Sequence, residues 1–247
     1  MKQYIAEVLF DGEPLGEEYL KDIPAVKHLL NGNSIKFDSP VTFFVGENGT
    51  GKSTLLEAIA VAFGFNPEGG SRNFSFSTNA THSDLFEHIT LAKRDFAKDG
   101  YFLRAESLYN VATNIEELDK QPAAAPSIIE SYGGVSLHNQ SHGESFMTLV
   151  QKRFGGNGLY LLDEPEAALS PARQLTLISE IDRLVKNGSQ FIIATHSPIL
   201  MAFPDADIYV FSENGITKTD YKDTEHYKIT KSFLDNPDRM MKYLFEN

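Results

Sequence analysis

The stretch Val41-Thr42-Phe43-Phe44-Val45, running into Gly46-Glu47-Asn48-Gly49-Thr50-Gly51-Lys52-Ser53, decides the fold. Its first five residues are uncharged and rich in β-branched and aromatic types, which predicts a buried strand. The strand empties into the pattern G-x-x-x-x-G-K-S. From Thr54 to Phe63, Leu55, Leu56, Ile59 and Phe63 recur at helical spacing. Strand, glycine-rich loop and helix together are the context in which such a loop holds phosphate.

The residue types follow from the chemistry. A triphosphate carries too much charge to be held by side chains alone, so backbone N–H groups must converge on its oxygens. Glycines at 46, 49 and 51 permit that close approach. The helix starting near Lys52 adds the favourable field of its N-terminus. Lys52 is expected to reach the outer phosphates, and the Ser53 hydroxyl to coordinate Mg²⁺. The expected nucleotide-binding set is Gly46, Asn48, Gly49, Gly51, Lys52, Ser53 and Thr54.

At 247 residues the chain has room for one large α/β domain or two small ones. With 22 basic against 34 acidic residues, its net charge of −12 argues against a general electrostatic grip on nucleic acid or anionic membrane. A local basic strip stays open. There is no cysteine, which excludes disulfides, thiolate metal sites and cysteine nucleophiles. Acidic residues come too early for a signal peptide, and no uncharged apolar run reaches membrane-spanning length. A cytoplasmic protein without direct membrane insertion is expected.

Further along, strands are predicted at Tyr4–Phe10, Tyr101–Ala105, Leu159–Leu162 and Gln190–Ala194, with a closing hairpin of Ile208–Phe211 and Ile216–Thr219. Ile35–Phe37, the turn Asp38-Ser39-Pro40 and the strand at 41–45 suggest another hairpin. Helices are predicted at Ala25–Leu30, Ser83–Lys98, from Ser170-Pro171 to Lys186, and in amphipathic segments near 226–235 and 238–246. Residues 66–83 read as loop, with short strands around Phe74-Ser75-Phe76, and Arg72 in that loop is either a nucleotide contact or a solvated side chain. Residues 106–130 read as partly helical, broken by Pro122 and Pro126. Ser141 and Glu144 have capping-box spacing, ahead of Phe146, Leu149, Val150 and Phe154. Repeats and linkers are absent, so residues 1–247 are read as one domain.

The phosphate loop, Asp163-Glu164, His196 and the loop after 101–105 all fall at strand C-termini. In an open parallel sheet the ligand lies beyond those ends. Asp163 follows four apolar residues, the way a Mg²⁺ carboxylate is presented beside a phosphate loop. Glu164 would then sit where an attacking water must be polarised. A bare Asp-Glu pair is as readily a solvated turn, and a lone histidine is more often packed. Beside a phosphate loop, His196 becomes a candidate γ-phosphate contact.

The ordered set resembles the ABC-type ATPases over most of the chain. Gly46–Ser53 looks like Walker A, and Leu161-Leu162-Asp163-Glu164-Pro165 like Walker B, with Glu164 in the place of the catalytic glutamate. Ser141-His142-Gly143-Glu144 resembles the signature, usually Leu-Ser-Gly-Gly-Gln. Ala167-Ala168-Leu169-Ser170 lies at the D-loop and His196 at the switch histidine. The resemblance implies an α/β P-loop NTPase with a mostly parallel central sheet, an antiparallel β region and a small helical subdomain at 106–140. It implies ATP and Mg²⁺ as cofactors. It also implies a homodimer closing head to tail on ATP, in which Ser141, Gly143 and Glu144 of one copy meet the γ-phosphate held by the other. This chain departs from the pattern at Gln140, His142 and Glu144, where Leu, Gly and Gln are usual. The family's Q-loop glutamine is absent from 100–115. Glu106 or Ser107 stands in its place, and a carboxylate at Glu106 would approach Mg²⁺ through water.

Three functions follow. The first is a soluble, stand-alone ABC-type ATPase, resembling bacterial ATPases near the SMC and DNA-repair branch, whose cycle acts on an unknown protein or nucleic-acid partner. The segment before the signature is too short for long arms, and Gln190–Pro198 looks like that branch. The alternative is the ATP-binding subunit of a membrane transporter, docking through 106–140. A switch with little turnover is the third, and the presence of Glu164 argues against it.

Overall fold

The computed structural model describes residues 3–71, 83–104, 112–113, 115–116, 119–120, 127–132 and 134–246. Strand β3, Val41–Gly46, is buried at all six positions and lies in the interior of a seven-stranded sheet. It pairs in parallel with β8 (Gln190–Ala194) on one side and β9 (Asp207–Ser212) on the other. Beyond β8 come β7 (Gly158–Asp163) and β6 (Asp99–Arg104), also parallel. The edges are antiparallel: β10 (Gly215–Lys218) beside β9, and β4 (Gly70–Ser71) beside β6. The order is therefore β10-β9-β3-β8-β7-β6-β4. Five parallel strands point their C-termini to one rim, with Arg104 opposite Asp163 and Asp163 opposite Ala194.

The period of two in the strands sorts the core into two layers. Phe43, Val45, Tyr101, Leu103, Tyr160, Leu162, Phe191 and Ile193 face α3 (His142–Arg153) and α4 (Pro171–Lys186). Phe44, Phe102, Leu159, Leu161, Ile192 and Ala194 face α2 (Lys52–Phe63), which contributes Leu55, Leu56 and Ile59. Covering both faces explains why these strands read as unbroken apolar runs rather than as alternation.

A second, antiparallel sheet has the order β2-β1-β5, from Ile35–Lys36, Ile5–Phe10 and Ile89–Lys93. Gln190 joins the two sheets. Its Oε1 accepts from Tyr4 N at 2.7 Å and Ile5 N at 3.0 Å, and its Nε2 donates to Ile5 O at 2.9 Å. The remaining described helices are α1 (Pro24–Leu30), α5 (Glu225–Asp235) and α6 (Pro237–Phe245).

Two expectations are corrected. Ile35–Lys36 does not form a hairpin with β3, because both edges of β3 are taken by β8 and β9; it pairs with β1 instead. The turn at Asp38 and Ser39 is held by the Asp207 carboxylate, which accepts both backbone N–H groups. Residues 83–98 are not one helix. A single 3₁₀ turn at Asp84–His88 gives way to β5, since pairing with β1 overrides helical propensity there. Most of 105–126 and the segment around Phe74–Phe76 lie outside the described residues. Of the expected subdomain at 106–140, short 3₁₀ turns at Ile128–Tyr132 and Leu137–Asn139 are described.

Candidate nucleotide-binding site

The site grows from the loop between β3 and α2. Gly46 has φ +141°, and a side chain there would collide with the Phe211 carbonyl of β9. Gly51 has φ +96°, and a Cβ would overlap Ile23 and Ala25 at the start of α1. Both positions therefore need glycine for space as well as for backbone conformation. Thr50 braces the loop from inside: its hydroxyl donates to Glu47 O at 2.8 Å, and its carbonyl accepts from Ala25 N. Asn48 and Gly49 form the exposed tip, and Thr54 lies in the first turn of α2.

Lys52 is buried, and its Nζ donates to the carbonyls of Gly46 (2.8 Å) and Glu47 (2.9 Å). Burial lowers the Lys52 pKa, while Glu164, Asp163, Glu166 and Glu47 pull the other way. Two of its three donors hold the loop in shape, with the ammonium directly beneath the cradle.

Ser53 Oγ donates to Asp163 Oδ1 at 2.9 Å. A hydroxyl and a carboxylate are the hard oxygen donors that suit Mg²⁺. Their spacing matches neighbouring vertices of an octahedron with metal–oxygen distances of about 2.05 Å. Arg104, in register with Asp163, lies with Nε 3.6 Å from Asp163 Oδ2 while its Nη1 holds Glu57 Oε2 at 2.8 Å. The sequence reading missed Arg104; its signal was a cation closing an apolar strand that borders the Asp163 strand. Glu106, Ser107 and Arg72 lie outside the described residues.

Glu164 adopts φ +47°, ψ 52°, a left-handed conformation rare for residues other than glycine. Its backbone N–H is held by Ala194 O at 2.9 Å. The turn brings Glu164 Oε1 to 3.7 Å from His196 Nε2. Glu166, which sequence reasoning also missed, anchors the histidine's backbone. Its carboxylate accepts from His196 N at 2.5 Å and from Thr195 Oγ1 at 2.7 Å. Burial raises the Glu166 pKa, opposed by those two hydrogen bonds. Burial and then the Lys52 cation lower the His196 pKa, so the ring is neutral at pH 7.

The stretch resembling a signature opens α3. Ser141 and Glu144 form the expected capping box: Ser141 N donates to Glu144 Oε2 at 2.9 Å, and Glu144 N donates to Ser141 Oγ at 3.4 Å. The Ser141 hydroxyl donates to the same carboxylate at 2.6 Å, and these hydrogen bonds hold the Glu144 pKa low. Both residues are exposed, whereas Gly143 is buried. A Cβ on Gly143 would lie 2.7 Å from Ala168 O and 2.6 Å from Arg173 Nη1, so its small size serves packing inside this chain.

A glycine loop between a buried parallel strand and a helix, with carboxylates at the end of a strand two places along the same sheet, defines a P-loop nucleotide-binding fold. Residues 26–131 match a family model described as an AAA domain. Residues 140–202 match a second AAA-domain model, whose description names the AbiEii toxin and a type IV TA system. The cobalt import ATP-binding protein CbiO of Salmonella typhi is 27% identical over 202 residues, covering 76% of this chain and 73% of that protein. Structural maintenance of chromosomes protein 6 of Takifugu rubripes is 29% identical over 97 residues, covering 38% of this chain and 9% of that protein. The solved structure of cbiO1 from Clostridium perfringens, part of the ABC transporter complex cbiONQ, shares the fold. Its TM-score is 0.51 at 17% identity, covering 99% of this chain and 100% of that one. The chain thus carries matches to two AAA-domain models and is homologous to ABC ATP-binding subunits. Among the described residues, no helix is long and apolar enough to cross a membrane.

Proposed function

We propose that this chain binds and hydrolyses ATP with Mg²⁺ at the C-terminal rim of its parallel sheet, closing head to tail with a second copy as it does so. The carrying observation is the convergence of Lys52, Ser53, Asp163, Glu164 and His196 from three separate strand ends. Lys52 and the first N–H groups of α2 bind the outer phosphates. Ser53 and Asp163 hold Mg²⁺, which when bound neutralises charge on the phosphate oxygens. Glu164 orients and deprotonates the attacking water, and its exposed carboxyl is 44% accessible. His196 offers Nε2–H toward the same space. Ser141 and Glu144, exposed at the start of α3, are the groups available to a second copy. We place the whole chain in one such domain and leave its output to a separate partner.

A second reading, the ATP-binding subunit of a transporter, is supported by the similarity to CbiO. The stand-alone reading is supported by Gln190–Pro198 and by the shorter likeness to a chromosome-maintenance protein. Phosphate release from Mg-ATP by the purified chain, compared with Lys52→Ala, tests the core of both. Wild-type turnover together with lost nucleotide binding in the variant is the expected result. Unchanged binding in a folded Lys52→Ala removes Gly46–Ser53 as the nucleotide site.

A further inference from the structure

His226, the second residue of α5, brings its Nε2 to 3.4 Å from Nδ1 of His196. The two ring centroids are 5.6 Å apart and the planes are inclined by 49°. The segment carrying His226 is braced rather than loose. Thr224 caps α5 by accepting from Tyr227 N at 3.3 Å and donates its own hydroxyl to Tyr221 O at 2.7 Å. Tyr221 in turn donates to Pro198 O at 2.8 Å, tying the same segment to the His196 loop a second time.

The direction of the histidine–histidine hydrogen bond follows from the other side of the His196 ring. A neutral imidazole has one donor and one acceptor nitrogen. His196 Nε2 is buried with no hydrogen-bond partner among the described residues, and the nearby Glu164 carboxylate oxygen lies 3.7 Å away. A lone pair on Nε2 would face that carboxylate, so the proton belongs on Nε2. Nδ1 must then accept, and His226 Nε2–H is the group placed to donate. Burial lowers the pKa of both rings, reinforced for His226 by His196 and for both by Lys52, so both rings are neutral.

We propose that His226 is a positioning residue of the ATPase site, whose Nε2–H holds His196 in the Nε2–H tautomer with that proton aimed at Glu164 and the space beside it. Glu166 fixes the backbone of the switch residue; His226 fixes its ring. The kinetic part of this inference rests on the ATPase reading above, whereas the tautomer does not.

The test uses the full chain labelled with ¹⁵N-histidine, with His196 assigned by comparison with His196→Gln. In the wild type, His196 should show a protonated Nε2 and an unprotonated Nδ1. His226→Phe keeps a ring but removes the donor. His196 should then populate both tautomers, and kcat should fall about tenfold, the rate equivalent of one ordinary hydrogen bond. KM for ATP should stay close to wild type, because the hydrogen bond of His226 goes to His196 and not to Lys52, Ser53 or Asp163. His226→Gln places an amide N–H near the position of Nε2 and should recover most of the rate and the single tautomer. Should phenylalanine not pack, His226→Ala at this half-buried position gives the same two readouts. An unchanged His196 tautomer in the Phe or Ala variant overturns the proposal, as does an unchanged kcat in an enzyme whose wild type turns over. If the wild type releases no phosphate while the tautomer still shifts, the His226 contact stands and the ATPase reading falls.

Discussion

Ser53, one residue into α2, donates its hydroxyl at 2.9 Å to the carboxylate of Asp163 at the end of β7, 110 residues later in the chain. The contact exists because β3 and β7 flank β8 in one parallel sheet and end on the same rim. Two oxygen donors from distant segments thus meet beside the buried Lys52 ammonium, which is the arrangement a Mg²⁺–triphosphate needs.

Asp163→Asn removes the charge from that pair while keeping an oxygen. Nucleotide affinity in the presence of Mg²⁺ should drop by much more than affinity in EDTA, since a charged ligand is lost only where the metal uses it. Titration with a fluorescent ATP analogue under both conditions measures the difference. Equal losses would assign Asp163 a structural role, through Ser53 and Arg104.

Glu164→Gln retains the shape of the side chain and loses the base. Turnover should fall by about 10²–10⁴-fold, with nucleotide binding preserved. Trapped ATP should then hold the variant as a dimer, visible by light scattering with ATP and Mg²⁺. Adding Ser141→Arg should dissolve that dimer, because a bulky cation replaces the exposed cap of α3. A variant that binds ATP, stops turning over and stays monomeric would sink the head-to-tail arrangement while leaving the base in place. A double variant that still dimerises would move the signature away from Ser141–Glu144.

Glu166 gives a pH signature. Burial raises its carboxyl pKa above the ordinary 4.5. A carboxyl with a raised folded pKa binds more protons folded than unfolded between its two values, so its contribution to stability falls as pH rises through that window. The denaturation midpoint of wild type relative to Glu166→Gln should therefore decline from about pH 4.5 upward and level off above the raised pKa. The opposite slope would mean that the hydrogen bonds from His196 N and Thr195 stabilise the carboxylate more than burial disfavours it.

Gln190→Ala should unfasten the antiparallel sheet from the central one. Three hydrogen bonds to buried backbone groups of Tyr4 and Ile5 disappear together. At about 1 kcal/mol for each group left unpaired, the loss is about 3 kcal/mol, read from urea denaturation at constant slope. A loss well below about 1 kcal/mol would show that the β1 edge finds other partners.

The capping box of α3, the helix from Pro171, the closing hairpin and the runs that became β3, β7 and β8 were all legible as residue types at short spacing. The failures were of another kind. Ile35–Lys36 looked like the partner of its neighbour β3, and residues 89–93 looked helical, until β1 claimed both. Pairing is decided by which edges remain open once the sheet is assembled, and no local window contains that information.

The same division runs through the site. By itself, the amino-acid order singled out Gly46–Ser53, Asp163-Glu164 and His196 as candidates, because cradling a phosphate or ending a buried strand in a carboxylate constrains a few consecutive residues. Arg104, Glu166 and His226 carry no such local mark: one cation at a strand end, one of many glutamates, one histidine on a surface helix. Only the tertiary structure set Arg104 in register with Asp163, turned Glu166 under the backbone of His196 and brought His226 to its ring. The reason is physical. A hydrogen bond acts over about 3 Å, and which residues come within that distance is fixed by strand order and helix packing rather than by neighbours in the chain.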